Sequence, residues 1–242
     1  ELEVDYAITR QIAAVGRYGY DKKADAGADD NINGTYYFVG AKFTASDRVA
    51  AEVTYGKRFD GSVVEADISY TPTERTTFRL RQKTSVETQQ ELISNGATVN
   101  AEGELVNPNG TGSEFVEATI KTTALDAKLT HQKKRTNYEF DVGFRERDFF
   151  DETVDSTLNL GLVVSHNLRR DLTGVAAANY STSLDTRQAN SDKQNFVLNL
   201  GLTYNLNRNL AGSVNYNFLD QQQDNGQNVR ENVLSVGLRK SF

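Results

Sequence analysis

The chain has 242 residues, a formal net charge of −6 and no cysteine, tryptophan or methionine. The absence of cysteine excludes disulfides, thiolate metal sites and cysteine nucleophiles, and the negative charge argues against nucleic acid as a partner. No apolar run approaches the roughly 18 residues that a membrane-spanning helix needs.

Apolar and polar residues alternate along most of the chain, which is the pattern of β-strands with two different faces. In chain order, apolar faces are predicted over 37–43, 49–55, 64–70, 78–80, 138–144, 158–164, 196–204 and 210–218. Apart from the short 78–80, they span seven to nine residues each, slightly fewer than the ~9–11 of a tilted membrane-crossing strand. Residues 2–21 fit either one long strand or a hairpin turning at Arg10, and residues 114–134 fit one bulged strand or two. The expected total is 12 to 14 strands.

Short turns alternate with long polar loops between these strands. The short turns are predicted around 9–11, 45–48, 71–75, 167–171 and 206–209, and the long loops at 22–34, 88–113, 148–153, 184–193 and 219–228. The dipeptide Asp60-Gly61 predicts a tight hairpin on the long-loop side. Short turns at one rim and long loops at the other are typical of outer-membrane barrels.

The chain ends on an alternating strand with an aromatic last residue. The apolar positions of this ending are Leu234, Val236, Leu238 and Phe242. Outer-membrane barrels close on such a strand, and it presents them to the insertion machinery. Because unpaired backbone amides in hydrocarbon cost several kcal/mol each, strands in lipid must close into a ring. We therefore predict an all-β fold, a transmembrane antiparallel up-and-down β-barrel of about 12–14 strands.

The barrel is expected to form one domain over residues 1–242 in a bacterial outer membrane. If the short turns are periplasmic, residues 2–9 and the last strand both run towards the periplasm. That arrangement leaves the first strand without an antiparallel closing partner, as expected if upstream strands are missing.

Charged side chains are predicted on the inward face of several strands. They are Lys42, Glu52, Arg58, Glu65, Asp67, Arg79, Arg81, Lys83, Glu139, Asp141 and Arg145. They could form a charged constriction that selects solutes or contacts an anionic polymer. Alternatively, they could form a lattice of salt bridges that fills a narrow barrel. At the strand ends, interfacial aromatic girdles are expected from Tyr18, Tyr20, Tyr55, Tyr70, Tyr138 and Tyr180.

Three further features each have more than one interpretation. The acidic segment with Asp21, Asp25, Asp29, Asp30 and Asn31 could bind calcium or be a solvated loop. The long loop 88–113 could form a constriction, bind a partner or be disordered. His131 and His166 could act in metal binding or acid–base chemistry, or lie near the lipid headgroups. No phosphate-binding glycine loop, zinc-protease motif or nucleophile elbow is present, so no catalytic residue, metal site or cofactor is predicted.

The sequence resembles a known family along about half of its length. The matching stretches are LEVDY at 2–6, VGRYGYD at 15–21, VGAKF at 39–43, SDR at 46–48, AEVTYGKRF at 51–59, RLRQ at 79–82 and RENVL at 230–234. Thr84, Val86 and Thr88 also fit. These stretches are similar to outer-membrane barrels associated with the PEP-CTERM system, which are linked to exopolysaccharide export loci. A phenylalanine, Phe38 or Phe43, stands where a tryptophan is usual in that family. The resemblance implies a cellular context and no catalytic residue.

Two main functions follow as hypotheses. The first is a porin-like or exopolysaccharide-export conduit with a polar, charged lumen. The second is a plugged structural or docking barrel that binds an envelope complex through its long loops. An outer-membrane enzyme is ranked last. The expected partners are outer-membrane lipid and lipopolysaccharide, the barrel-insertion machinery and either exopolysaccharide or envelope proteins.

Overall fold

The chain forms β-strands joined by turns. A computed structural model describes residues 1–21, 34–59, 61–87, 98–99, 105–106, 112–113, 120–149, 153–185, 193–207, 209–223 and 228–240. The strands are β1 (Leu2–Ala7), β2 (Ile12–Asp21), β3 (Gly34–Ser46), β4 (Val49–Arg58), β5 (Gly61–Thr73), β6 (Thr76–Glu87), β7 (Thr98–Val99), β8 (Leu105–Val106), β9 (Gly112–Ser113), β10 (Ile120–Lys133), β11 (Thr136–Phe149), β12 (Thr153–Asn167), β13 (Leu172–Asp185), β14 (Lys193–Asn207), β15 (Leu210–Gln223) and β16 (Val229–Lys240). In these ranges there is no helix with the length and apolar character of a membrane span.

Thirteen strands form one sheet whose order follows the chain, with β10 next to β6. This number lies within the predicted range of 12 to 14. Residues 2–21 form the hairpin rather than one long strand, since β1 and β2 pair antiparallel with Glu3 opposite Arg17. Residues 120–133 form one strand, while 114–119 lie outside the described residues. The predicted loop 88–113 contains β7, β8 and β9, which pair into a separate three-stranded sheet.

The chain divides into two compact units. Unit 1 comprises Glu1–Pro72, Arg79–Asp126 and Phe144–Ser156, and unit 2 comprises Thr73–Phe78, Ala127–Gly143 and Thr157–Phe242. In unit 1, β1 to β5 pair antiparallel in chain order. In unit 2, β13 to β16 do the same.

The two faces of the sheet differ, as the alternation of the sequence predicts. On β3, Tyr37 and Val39 are 53% and 64% exposed, whereas the neighbouring Tyr36 and Phe38 are buried. Successive side chains of a strand point to opposite faces, so each strand contributes to both. We call the face that carries Tyr36 and Phe38 the inner face, and the face that carries Tyr37 and Val39 the outer face.

The short turns share one local hydrogen-bond pattern. Thr9, Ser46, Thr73 and Asn207 each accept a hydrogen bond through the side chain from the backbone N–H two residues later, at 2.9 to 3.4 Å. Ser, Thr and Asn favour turns because their side chains replace a backbone partner in this way. The small polar residues of these segments therefore end the strands where the sequence predicts.

The connection between β4 and β5 is tight, as the Asp60-Gly61 motif predicts, while Asp60 itself lies outside the described residues. Arg58 pairs with Gly61, so Gly61 belongs to the strand. Phe59 takes a positive φ of 55°, a conformation that two-residue hairpin loops require and that bulky residues rarely adopt. Pro72, predicted in a connection, lies near the end of β5, where a residue without an N–H is tolerated.

Candidate functional site: the charged inner face

Arg17 is the centre of a network of charges on the inner face of unit 1. Its guanidinium contacts carboxylates from three other strands: Glu3 at 3.5 Å, Glu65 at 3.0 Å, and Glu52. The side chain of Arg17 is 20% exposed, and those of Glu52 and Glu65 are 28% and 18% exposed. A planar guanidinium with five donors suits a site that offers several carboxylates at once. Arg17 therefore joins β1, β2, β4 and β5 through side chains.

Lys42 extends this network along β3. Its ammonium lies 3.0 Å from Glu3, 2.7 Å from Asp5 and 3.8 Å from Glu52. The pairing of the strands explains the cluster, because Lys42 lies opposite Glu52 on β4. We call Glu3, Asp5, Arg17, Lys42, Glu52 and Glu65 the β1–β5 lattice. Its four carboxylates outnumber its two cations, so it carries negative charge.

The loop end of the same face is packed more tightly. Arg58 donates to both carboxylate oxygens of Asp21, at 2.7 and 3.0 Å, and its guanidinium lies 4.5 Å from the ring centre of Tyr36. Tyr36, Phe38 and Val63 form a buried apolar cluster. The prediction of a polar lumen is therefore incomplete for these strands, since the inner face also carries an apolar cluster.

A glycine allows this close packing. Gly56 lies opposite Phe38, and a Cβ at Gly56 would lie 2.8 Å from Phe38 Cα and Cδ1. Only a residue without a side chain fits where the neighbouring backbone approaches so closely.

Arg79 and Arg81 on β6 share a single carboxylate. Arg79 donates to Asp67 at 3.2 and 2.9 Å, and Arg81 donates to the same carboxylate at 3.3 and 3.0 Å. The side chains of the two arginines are 52% and 50% exposed. Lys83 follows at the next position of the same face and is also exposed. We call Arg79, Arg81 and Lys83 the β6 cation column, and it carries net positive charge beside Asp67.

The remaining predicted charges lie on β11. Glu139 accepts from Lys128 at 2.5 Å, and both side chains are more than 40% exposed. The carboxylate of Asp141 lies over Gly161, where a Cβ would stand 2.6 Å from Asp141 Cγ. Arg145 and Lys83 have no ion pair with another described residue. The structure thus brings Lys42, Glu52 and Glu65 together, and Asp67 with Arg79 and Arg81.

Sequence reasoning missed four members of the inner face. These are Glu3, Asp5, Arg17 and Asp21, all in the first hairpin. The signal was available, because Leu2, Val4 and Tyr6 alternate with Glu3 and Asp5. The open choice between one strand and a hairpin prevented an assignment of faces there.

The comparisons with known proteins agree with this architecture. A family model described as "Putative beta-barrel porin 2" matches residues 118–242, slightly more than half of the chain. The chain belongs to this family. No curated protein matches its sequence.

A solved outer-membrane protein resembles this chain in fold. In-vitro folded OmpT, an outer-membrane protein of Vibrio cholerae, has a TM-score of 0.50 at 10% identity, with 98% of this chain and 87% of that chain covered. The outer-membrane-expressed form of the same protein has a TM-score of 0.49 at 11% identity, covering 96% and 77%. At such identity the first similarity shows the fold alone. With the family membership, it places the chain among outer-membrane β-barrels of the antiparallel up-and-down type.

The outer face of the barrel carries the aromatic residues predicted for the interface. Tyr18, Tyr20, Tyr55, Tyr70 and Tyr138 are 41% to 61% exposed, and Tyr180 is half-buried. Tyr18 and Tyr20 lie towards the loop end of β2, while Tyr138 lies beside the 134–135 turn. Their role in two girdles stays a prediction.

The last described strand, β16, also exposes its apolar positions. Leu234, Val236 and Leu238 are 69% to 77% exposed on β16, and they pair with Tyr216, Val214 and Gly212. Phe242 lies outside the described residues. Recognition of this strand by the insertion machinery stays a prediction.

The two histidines occupy equivalent places at the turn end of the barrel. His131 Nδ1 lies 2.8 Å from Thr76 Oγ1, and His166 Nδ1 lies 2.7 Å from Thr136 Oγ1. Each histidine lies within two residues of the end of its strand, and its threonine begins another strand. Of the acidic segment, Asp21 pairs with Arg58, whereas residues 25, 29, 30 and 31 lie outside the described residues.

Proposed function

We propose that the chain is a porin-like conduit of the outer membrane whose inner face favours anionic solutes. The observation that carries the proposal is the β6 cation column. Two guanidinium groups share the single carboxylate of Asp67 and remain half exposed, so their charge is incompletely neutralised. Rings and columns of basic side chains in a pore favour anions.

The β1–β5 lattice and the β6 cation column carry charges of opposite sign, which supports a lining that selects solutes by charge rather than a neutral one. The β1–β5 lattice carries excess carboxylate, while the β6 cation column carries excess guanidinium and ammonium. Arg17, Glu52 and Glu65 of the lattice are 18% to 28% exposed and pair with one another. Glu3 and Asp5 are 43% and 46% exposed, and both pair with Lys42. Because every charge of the lattice has a partner within it, we assign the lattice a structural role. The exposed cations of β6 are the groups that a passing solute meets.

The resemblance to exopolysaccharide-locus barrels gives this proposal a candidate passenger. Acidic polysaccharides carry carboxylates or other anions at regular spacing, and arginine binds such groups through two parallel hydrogen bonds. Export of such a polymer is the finer form of the proposal. It requires no catalytic residue, and we propose a conduit rather than an enzyme.

The test measures ion selectivity in planar bilayers. The Arg79→Gln/Arg81→Gln variant should shift the reversal potential in a KCl gradient towards potassium, with a permeability ratio changed about twofold or more. The control is Lys128→Gln/Glu139→Gln, which removes one charge of each sign from an exposed pair. Selectivity that is identical in the wild type and the arginine variant would contradict the assignment.

A second candidate is the plugged docking barrel. The buried cluster of Tyr36, Phe38 and Val63 favours it, because an inner face that packs against itself leaves less room for water. This alternative predicts negligible conductance. It also predicts an envelope partner that is retained on pull-down and lost when residues 88–113 are deleted.

A further inference from the structure

An apolar groove lies on the outer face of unit 2, across β12 to β15. It encloses about 400 Å³, and its walls include Leu168, Leu200, Leu202 and Tyr216. Gly174 and Ala176 form its floor, because they lie opposite Leu202 and Leu200 in the β13–β14 ladder. At Gly174, a Cβ would lie 3.4 Å from Leu202 Cδ2 and 3.5 Å from Leu168 Cδ1. Leucine side chains thus lie on both sides of the small residues Gly174 and Ala176.

One end of the groove lies at a turn rich in arginine. Leu168 begins the 168–171 turn, and the exposed Arg169 and Arg170 follow it directly. The turn is held by a hydrogen bond from Arg169 N to Leu172 O at 3.1 Å. Two guanidinium groups therefore lie within two residues of a groove wall.

The neighbouring turns of unit 2 make this edge basic. Gln132 N donates to Arg75 O, Asn167 N to Arg135 O and Asn205 N to Asp171 O, at 2.7 to 2.8 Å. Each bond joins a turn to the adjacent strand, so the turns lie side by side. They carry Arg75, Lys134, Arg135, Arg169 and Arg170 against Glu74 and Asp171. This edge has the opposite sign to the chain as a whole, whose net charge is −6.

We propose that the groove binds an anionic phospholipid of the inner leaflet, with an acyl chain over Gly174 and Ala176 and the headgroup at Arg169 and Arg170. Short turns of outer-membrane barrels face the periplasm, so the groove opens to the hydrocarbon of that leaflet. The arginines then lie at headgroup depth, where basic side chains attract anionic lipid. The lipid uses both parts of the site, the apolar groove and the charged end.

Two other occupants fit less well. A free anion would gain nothing from the apolar groove. A second copy of the chain beside this face would bring its own basic turns to the same depth, and like charges facing each other oppose association. A lipid is favoured because it has both an apolar chain for the groove and an anionic headgroup for the arginines at its end.

The experiment measures lipid retention by native mass spectrometry, with the full chain refolded into nanodiscs of equimolar phosphatidylglycerol and phosphatidylcholine. The wild type should retain phosphatidylglycerol in preference. Ala176→Leu, which fills the groove, should abolish this retention. Arg169→Gln/Arg170→Gln should lower the preference about tenfold or more. The control Arg10→Gln/Arg48→Gln removes two turn arginines that do not line the groove, and it should bind as the wild type does.

Circular dichroism identifies correctly folded variants, and Gly174→Val replaces Ala176→Leu if the latter does not fold. The headgroup without acyl chains, glycerophosphoglycerol, should not compete. Competition by this headgroup would indicate an anion site and overturn the proposal. The proposal would also be overturned if the Arg10/Arg48 control lost as much phosphatidylglycerol as the Arg169/Arg170 variant, or if Ala176→Leu retained as much lipid as the wild type. A third contrary result would be that Ala176→Leu changes the oligomeric state while the amount of bound lipid stays the same.

Discussion

Arg17→Gln should destabilise the barrel more than any other single charge removal on the inner face. Glutamine keeps most of the side-chain length and removes the charge, so Glu3, Glu52 and Glu65 lose their common partner. Removal of one partner from a buried ion pair costs about 3–5 kcal/mol. The side chain of Arg17 is 20% exposed, and solvent screening reduces this cost. We expect a loss of about 2–3 kcal/mol in the free energy of unfolding.

The assay is urea unfolding in lipid vesicles, followed by far-ultraviolet circular dichroism because the chain contains no tryptophan. Lys128→Gln is the matched control, since Lys128 and Glu139 form a pair whose side chains are 49% and 41% exposed. Such exposed pairs contribute about 0.2–1 kcal/mol. A loss in Arg17→Gln no larger than the loss in Lys128→Gln would refute the reasoning.

A second substitution separates the lattice from a local effect. Glu65→Gln in the Arg17→Gln background should recover part of the lost stability, because it removes a partly buried carboxylate that no longer has its counter-charge. A further loss of stability would mean that Glu65 is held by a group other than Arg17.

Three more predictions test the inner face and its hairpin. Asp67→Asn should raise the preference for anions in planar bilayers, because it removes the carboxylate that pairs with Arg79 and Arg81. The reversal potential should therefore shift in the opposite direction to that of the Arg79→Gln/Arg81→Gln variant. A shift towards potassium would contradict the role of the β6 cation column. Gly56→Ala should lower the free energy of unfolding in urea by about 1–3 kcal/mol through overpacking. The control Gly16→Ala, whose added Cβ meets nothing within 4 Å, should be near neutral. Equal losses in the two variants would exclude the close approach of the β3 backbone to Gly56. Phe59→Asn should be neutral or stabilising by up to about 1 kcal/mol in the same assay, because asparagine tolerates positive φ better than phenylalanine does. The Arg58 guanidinium lies 4.7 Å from the ring centre of Phe59, and a clear loss of stability would mean that this contact outweighs the strain.

The alternation of residues was sufficient to predict the sheet and, outside the first hairpin, which residues of a strand share a face. On β3, aromatic residues occur on both faces, yet the position of Lys42 assigned Tyr37 outwards and Phe38 inwards. The hydropathy of β3 alone would not have separated Tyr36 from Tyr37. A single charged residue per strand is thus enough to determine which face is polar, because the period of side chains along a strand is two.

Contacts that cross several strands could not be predicted. A lattice of salt bridges was one of the two interpretations of the inward charges, and the pairing of Asp67 with Arg79 and Arg81 on the adjacent strand agrees with it. Glu65 instead accepts from Arg17, 48 residues earlier. That contact runs from β2 to β5 past two intervening strands, whereas the sequence pattern predicts contacts only between adjacent strands. The apolar groove of unit 2 could not be predicted for a related reason. Gly174 and Ala176 form its floor only because Leu168 and Leu202 lie beside them in the folded sheet, and the sequence pattern does not indicate that arrangement.

The most direct measurement of the transmembrane arrangement uses single cysteines on β14, in a chain that has no native cysteine. Spin labels at Leu200 and Leu202 in vesicles should be reached by oxygen from the lipid, whereas labels at Asn199 and Thr203 should be reached by a water-soluble nickel chelate. Protection of all four labels from both reagents, or accessibility without a period of two, would contradict a β-sheet with one face in the bilayer and the other lining an aqueous conduit.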